Sequence, residues 1–248
     1  MNLLFKSTSV LVACTVFFGA GVYTAADKAN PMYRLARSIF LKTQDRDPTK
    51  TTYWRQKVDI YRHSRDRGDI AMVGDSITDH GEWTELFPGV DIVNRGISGD
   101  TAGGLLKRLD TVKARKVYLL IGINDILLGV PTTDLVTNYR SLIDAFHDRD
   151  LYVQSILHTA KNRSVNTLIA SADKEIEALC ASKPYCHYVD LNKRLAPDGY
   201  LRAEFTFDGL HLNGAGFDAW REAMIAADTS LPHVASGSPL PSAVAQMP

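Results

Sequence analysis

Ile70–Thr78, IAMVGDSIT, begins with four apolar residues and then turns abruptly small and polar. A short, uniformly apolar run of this kind reads as a strand buried on both faces, since a half-exposed strand would alternate. Four more runs rich in β-formers follow: Val90–Val93 (VDIV), Val117–Ile121 (VYLLI), Leu151–Leu157 (LYVQSIL) and Cys186–Leu191 (CHYVDL). Helix-length stretches separate or follow them, at Thr101–Val112, Thr133–His147, Val165–Cys180 and Gly214–Ala227. Strands alternating with helices imply βαβ units, and therefore an α/β fold: a three-layer sandwich around a five-stranded parallel sheet.

Size and charge fit that picture. The chain has 248 residues, 45% of them hydrophobic, enough for one medium domain with a core plus appended segments. Lys+Arg and Asp+Glu are equal at 28 each, so there is no basic surplus to hold nucleic acid, and a small-molecule or neutral partner is expected. We divide the chain into a leader at 1–26, a connecting segment with a packing helix at 27–68, the main domain at 69–229 and a disordered tail at 230–248. In the connecting segment, Trp54, Val58 and Tyr61 recur at helical spacing. The tail is rich in Pro, Ser and Ala without periodicity.

The leader carries no charge from Ser7 to Ala26, with Lys6 before it and Asp27 after. It has the length to cross a bilayer, as an uncleaved anchor or as a signal peptide cut ahead of Asp27. Either way the segment contacts a membrane, and an exported, periplasmic or membrane-anchored protein is expected. The cations Lys28, Arg34, Arg37 and Lys42 after the segment favour the opposite orientation. Cys180 and Cys186 are close enough in sequence for a small disulfide in an oxidising compartment, or they are two free thiols.

In an open parallel sheet, chemistry collects at the carboxyl ends of the strands. The loops there read Gly74-Asp75-Ser76, Asn94-Arg95-Gly96-Ile97-Ser98-Gly99-Asp100-Thr101 and Gly122-Ile123-Asn124-Asp125, and Asp208-Gly209-Leu210-His211 lies before the last helix. A serine hydroxyl becomes a useful nucleophile when an imidazole takes its proton and a carboxylate orients that imidazole. Ser76, His211 and Asp208 supply those parts. An oxyanion formed at Ser76 needs donors, which the Ser76 N–H, the Gly99 N–H and the Asn124 side-chain amide provide. His80 stands near the nucleophile in sequence, and His158 is the substitute base should His211 not reach Ser76. No Cys/His grouping has zinc-ligand spacing and the aspartates form no calcium loop, so neither a metal nor another cofactor is expected.

These blocks, in this order, resemble the GDSL/SGNH hydrolases, with Gly74-Asp75-Ser76-Ile77 in place of Gly-Asp-Ser-Leu. The resemblance runs from Asp69 to about Ala227. It implies a flavodoxin-like α/β/α fold, metal-independent ester hydrolysis and an open pocket. By the same analogy the substrate is an O-acetyl group on a carbohydrate or envelope glycan. Lysophospholipid or short-chain lipid esters are the alternative, as is acyl transfer to a sugar hydroxyl through the same acyl-enzyme. A non-catalytic glycan-binding module would have no need of the intact Ser, His, Asp and Asn.

Overall fold

Alternating strand and helix signals become a five-stranded, all-parallel sheet in the computed structural model, which describes residues 47–64 and 68–232. The strands are β1 (Ile70–Gly74), β2 (Ile92–Gly96), β3 (Lys116–Leu120), β4 (Asp150–Gln154) and β5 (Cys186–Val189), in spatial order β2-β1-β3-β4-β5. All five residues of β1 are buried, as are the last four of β3 and of β4, as expected for strands covered on both faces.

Nine α-helices accompany them among the described residues: α1 (Thr52–His63), α2 (Ser76–Asp79), α3 (Trp83–Leu86), α4 (Ala102–Leu106), α5 (Ile123–Leu128), α6 (Thr132–Ala145), α7 (Arg163–Ala181), α8 (Asn192–Leu195) and α9 (Gly214–Ala227). Right-handed crossovers place the β1–β2 connection on one face of the sheet and the following connections on the other. Accordingly α4, α6 and α7 pack side by side, while α9 packs on α3 and α8. From β1 the chain moves to one edge and from β3 it moves towards the other. The crevice between the carboxyl ends of β1 and β3 is the topological switch point.

Several boundaries differ from the sequence reading. β2 begins at Ile92 and extends through Asn94 and Arg95, whose polarity suggested a loop. Asn94 donates to the carbonyls of Thr78, Asp79 and Gly81 at 3.0–3.1 Å, and Arg95 donates to Thr111 O at 3.2 Å, so neighbouring backbone satisfies them inside the sheet. The helix expected over Thr101–Val112 is only α4 followed by a 3-10 turn at Leu109–Thr111, because Gly103 and Gly104 weaken it. β4 ends at Gln154, and Ser155–Leu157 continue as buried loop.

The packing helix expected in the connecting segment is α1, whose Trp54, Val58 and Tyr61 form a small second core with Ile97. Cys180 and Cys186 are disulfide-bonded, joining the end of α7 to β5. The tail reading starts too early at Ser230: Leu231 is buried, and the Ser230 hydroxyl accepts from Lys116 Nζ at 2.7 Å. The remainder from residue 233, and the apolar leader, lie outside the described residues. Among the described residues no helix is long and apolar enough to cross a membrane.

Leu119, fully buried in β3, tests this core. Leu119→Ala is expected to lose about 2–5 kcal/mol in urea unfolding. Ile60→Ala, on the exposed side of α1, should stay within about 0.5 kcal/mol. Equal effects at the two positions would contradict the layering.

Candidate active site

Ser76 is the first residue of α2, at the point where β1 ends. The preceding turn is tight: a Cβ on Gly74 would collide with the Leu120 carbonyl and the Thr78 hydroxyl, so only glycine fits between β1 and β3 there. Asp75 caps the helix, its Oδ1 accepting from Ile77 N–H at 3.0 Å. Ser76, at the first position, has a backbone N–H that no preceding turn of the helix can accept.

His211 reaches the serine from the other end of the chain. Its Nε2 lies 2.9 Å from Ser76 Oγ, and its Nδ1 lies 2.6 Å from Asp208 Oδ2. The Asp208–His211 segment is a turn, not a helix. Asp208 Oδ1 accepts from the N–H groups of Leu210 (2.9 Å) and His211 (2.8 Å), and the turn is closed by a bridge between Thr206 and Leu212. Partial burial pushes the Asp208 carboxyl up, but the hydrogen bonds from the His211 side chain and backbone and from Leu210 outweigh it and hold the group well below the usual carboxylate range. Asp208 therefore stays ionised and fixes both the orientation and the tautomer of the ring.

The two remaining predicted residues flank the serine on neighbouring loops. Ile97–Asp100 is a turn closed by Asp100 N–H on Ile97 O at 3.0 Å, with Gly99 at its third position and φ +82°. That left-handed conformation is what requires glycine, since a Cβ at Gly99 would meet nothing within 4 Å. Asn124 lies in the first turn of α5 and is half-buried. One hydrogen of its Nδ2 goes to Asp100 O at 2.8 Å, which orients the amide and leaves the second hydrogen to donate elsewhere.

Four residues that sequence reasoning did not place among the functional groups brace this arrangement. Arg108, fully buried, donates to Asp100 Oδ2 (2.7 Å), Arg95 O (2.9 Å) and Gly74 O (3.0 Å). Trp54 Nε1 donates to Asp100 Oδ1 at 2.9 Å. Asp79 accepts from Tyr53, Lys57 and the Ser98 N–H and hydroxyl, tying α1 to the Gly99 turn. The ring of His80 lies 5.0 Å from that of His211. Of these, His80 was readable in the sequence by its proximity to Ser76, and Trp54 only as a packing residue of its helix. His158 lines a different cavity with Asp173, Tyr188 and Asn192, and His211 is the histidine that reaches Ser76. Among the described residues no group of acidic, His and Cys side chains is arranged to hold a metal.

A family model, the GDSL-like lipase/acylhydrolase family, matches residues 72–219. The chain belongs to that family. Its members' fold is the one described above, and the chain is accordingly a carboxylic ester hydrolase. Among solved structures, a Streptococcus pneumonia protein provisionally assigned as a platelet activating factor aligns at TM-score 0.62 and 28% identity, over 80% of this chain and 99% of that one. A GDSL-like lipase from Bacteroides thetaiotaomicron aligns at 0.59 and 20% identity, over 75% and 100%. An acetylxylan esterase from Geobacillus stearothermophilus aligns at 0.56 and 18%, over 64% and 93%. Comparison with curated proteins finds no match.

The esterase buries several carboxyls behind the serine. Burial pushes Asp75 up to about 7, the charges of Asp100 and Asp125 adding to the effect while Ile77 N–H and Arg108 oppose it. Burial likewise pushes Asp125 up to about 6 against the hydrogen bond from Ala102 N–H. Unfolded, Asp75 ionises near 3.8, so the folded state holds this proton more tightly and the group's contribution to stability declines as pH rises towards 7. Asp75→Asn removes that titration. Urea midpoints measured between about pH 4 and pH 7 should shift in favour of the variant as pH rises. A difference independent of pH would show that Asp75 titrates alike in both states.

Proposed function

We propose that this esterase works through an acyl-enzyme on Ser76 and that its substrate is an O-acetyl group on a carbohydrate. The continuous chain from Ser76 Oγ through His211 to Asp208, at 2.9 and 2.6 Å, carries the mechanistic part. His211 takes the serine proton as Oγ attacks the ester carbonyl. The negative charge that develops on the carbonyl oxygen is met by the N–H groups of Ser76 and Gly99 and by the free hydrogen of Asn124 Nδ2. As the tetrahedral intermediate collapses, His211 gives its proton to the departing alcohol oxygen, and Asp208 stabilises the imidazolium in between. Water, activated by the same imidazole, then releases the acid and restores Ser76.

An acetyl ester of a sugar is favoured by the openness of the site. Asp208 is more than half exposed, and Phe207 beside it is 95% exposed, a flat ring free to stack on a pyranose. The likeness to an acetylxylan esterase fold is in line with this reading. We further propose that the protein acts outside the cytoplasm, held to or passed through a membrane by its apolar leader, where the Cys180–Cys186 disulfide persists.

Turnover of p-nitrophenyl esters by the full chain tests the mechanism. Ser76→Ala should abolish hydrolysis without unfolding the protein, and Asn124→Ala should lower kcat by about two to three orders of magnitude. Asp208→Asn should cost less than His211→Ala. Rates should fall from acetate to octanoate. Retained activity in Ser76→Ala rejects the serine mechanism, and a preference for octanoate rejects the acetyl assignment.

A further inference from the structure

A cavity of about 340 Å³ opens beyond His80, between the Glu82–Leu86 segment and α9. We propose that it receives the alcohol half of the ester and that this alcohol is an uncharged sugar. The proposal rests on the acyl-enzyme reading above. That mechanism settles which half of the substrate goes there. The carbonyl oxygen faces Gly99 and Asn124, whereas the leaving oxygen must lie where His211 can protonate it. The alcohol therefore leaves on the imidazole side of Ser76. His80, whose ring is 5.0 Å from His211, forms the near wall of the cavity on that side.

The chemistry of the walls selects the alcohol. Arg221 lines the cavity with its side chain only 8% exposed, and its buried Nε has no hydrogen-bond partner. Its nearest carboxylate, Asp218, stands 3.5 Å from Nη2. That Nε is closed off from solvent, so a hydroxyl or ring oxygen in the cavity would accept instead from the guanidinium atoms that line it. Across from it Glu82 and Glu85 offer acceptors, and neither makes an ion pair among the described residues. Phe217 contributes an apolar surface against which the C–H face of a ring can lie. Sugar hydroxyls both donate and accept, so one polyol answers the carboxylates and the guanidinium together. A phosphate or uronate would meet the carboxylates, and a quaternary ammonium would meet Arg221. The volume lies at the lower end of small-molecule sites, roughly 300–1,000 Å³.

The test compares three acetyl esters of aliphatic alcohols on the full chain: a methyl mono-O-acetyl-β-D-glucopyranoside, ethyl acetate and acetylcholine. The glycoside should be preferred to ethyl acetate by at least about tenfold in kcat/KM. The Glu82→Gln/Glu85→Gln double variant, both positions being exposed, should lower that ratio about tenfold, chiefly through KM, as for replacing charge-assisted hydrogen bonds with neutral ones. The proposal is overturned by a ratio near one in the wild type, by a ratio that the double variant leaves unchanged, or by a preference for acetylcholine that the double variant abolishes. If p-nitrophenyl acetate is still hydrolysed in those cases, only the cavity assignment falls. If no ester is hydrolysed, the acyl-enzyme reading falls with it.

Discussion

The buried pair of Arg108 and Asp100 holds together the rim that carries Ser76. Both side chains are fully shielded from solvent, a placement that costs several kcal/mol per charge unless the pair is well matched and its other donors and acceptors are filled. Here they are filled by the structure that the pair organises. Arg108 also donates from Nη2 to the last carbonyl of β1 and from Nη1 to Arg95 O in β2, while Asp100 takes a further bond from Trp54. The Asp100 carbonyl orients the Asn124 amide. One guanidinium thus sets the position of the strand that delivers Ser76, and its partner sets both the Gly99 turn and the third loop. Removing either partner would leave a buried charge uncompensated, so stability and active-site geometry are coupled at this point.

The topology explains why these loops meet. Because the chain leaves β1 and β3 in opposite directions, the loops that follow their paired carboxyl ends diverge, and Ser76 and Asn124 border the gap. His211 arrives from beyond β5 on a turn whose hydrogen bonds are complete before any substrate binds. The helix α1, which precedes the residues matched by the family model, adds a brace on the β2 side through Trp54, Lys57 and Tyr61. Preorganised donors of this kind spare the reaction the cost of reorienting dipoles as charge develops.

How much of this was legible in the sequence depends on the range of the interaction. Strand and helix identities were legible because burial on both faces leaves local apolar runs, as in IAMV at 70–73. β2 was misplaced because Asn94 and Arg95 are satisfied by loops up to 16 residues distant, which no local pattern records. The residues expected at the site, Ser76, Gly99, Asn124, Asp208 and His211, stood in short motifs whose order resembles a known family; the structure links Ser76, His211 and Asp208 by hydrogen bonds and sets Gly99 and Asn124 on the loops after β2 and β3. Trp54, Arg108 and Asp79 act through contacts 46, 34 and 26 positions away, so their chemistry appears only once the chain is folded. Trp54 was legible as a buried residue of a helix, while its indole N–H bond to Asp100 was not.

Labelling with a fluorophosphonate, followed by peptide mass mapping, tests the assignment of the nucleophile most directly. The reagent reacts only with a serine whose proton is being removed. A single adduct on the peptide containing Ser76, lost in His211→Ala, is the predicted result. An adduct elsewhere, or labelling of Ser76 that is indifferent to His211, would contradict the account.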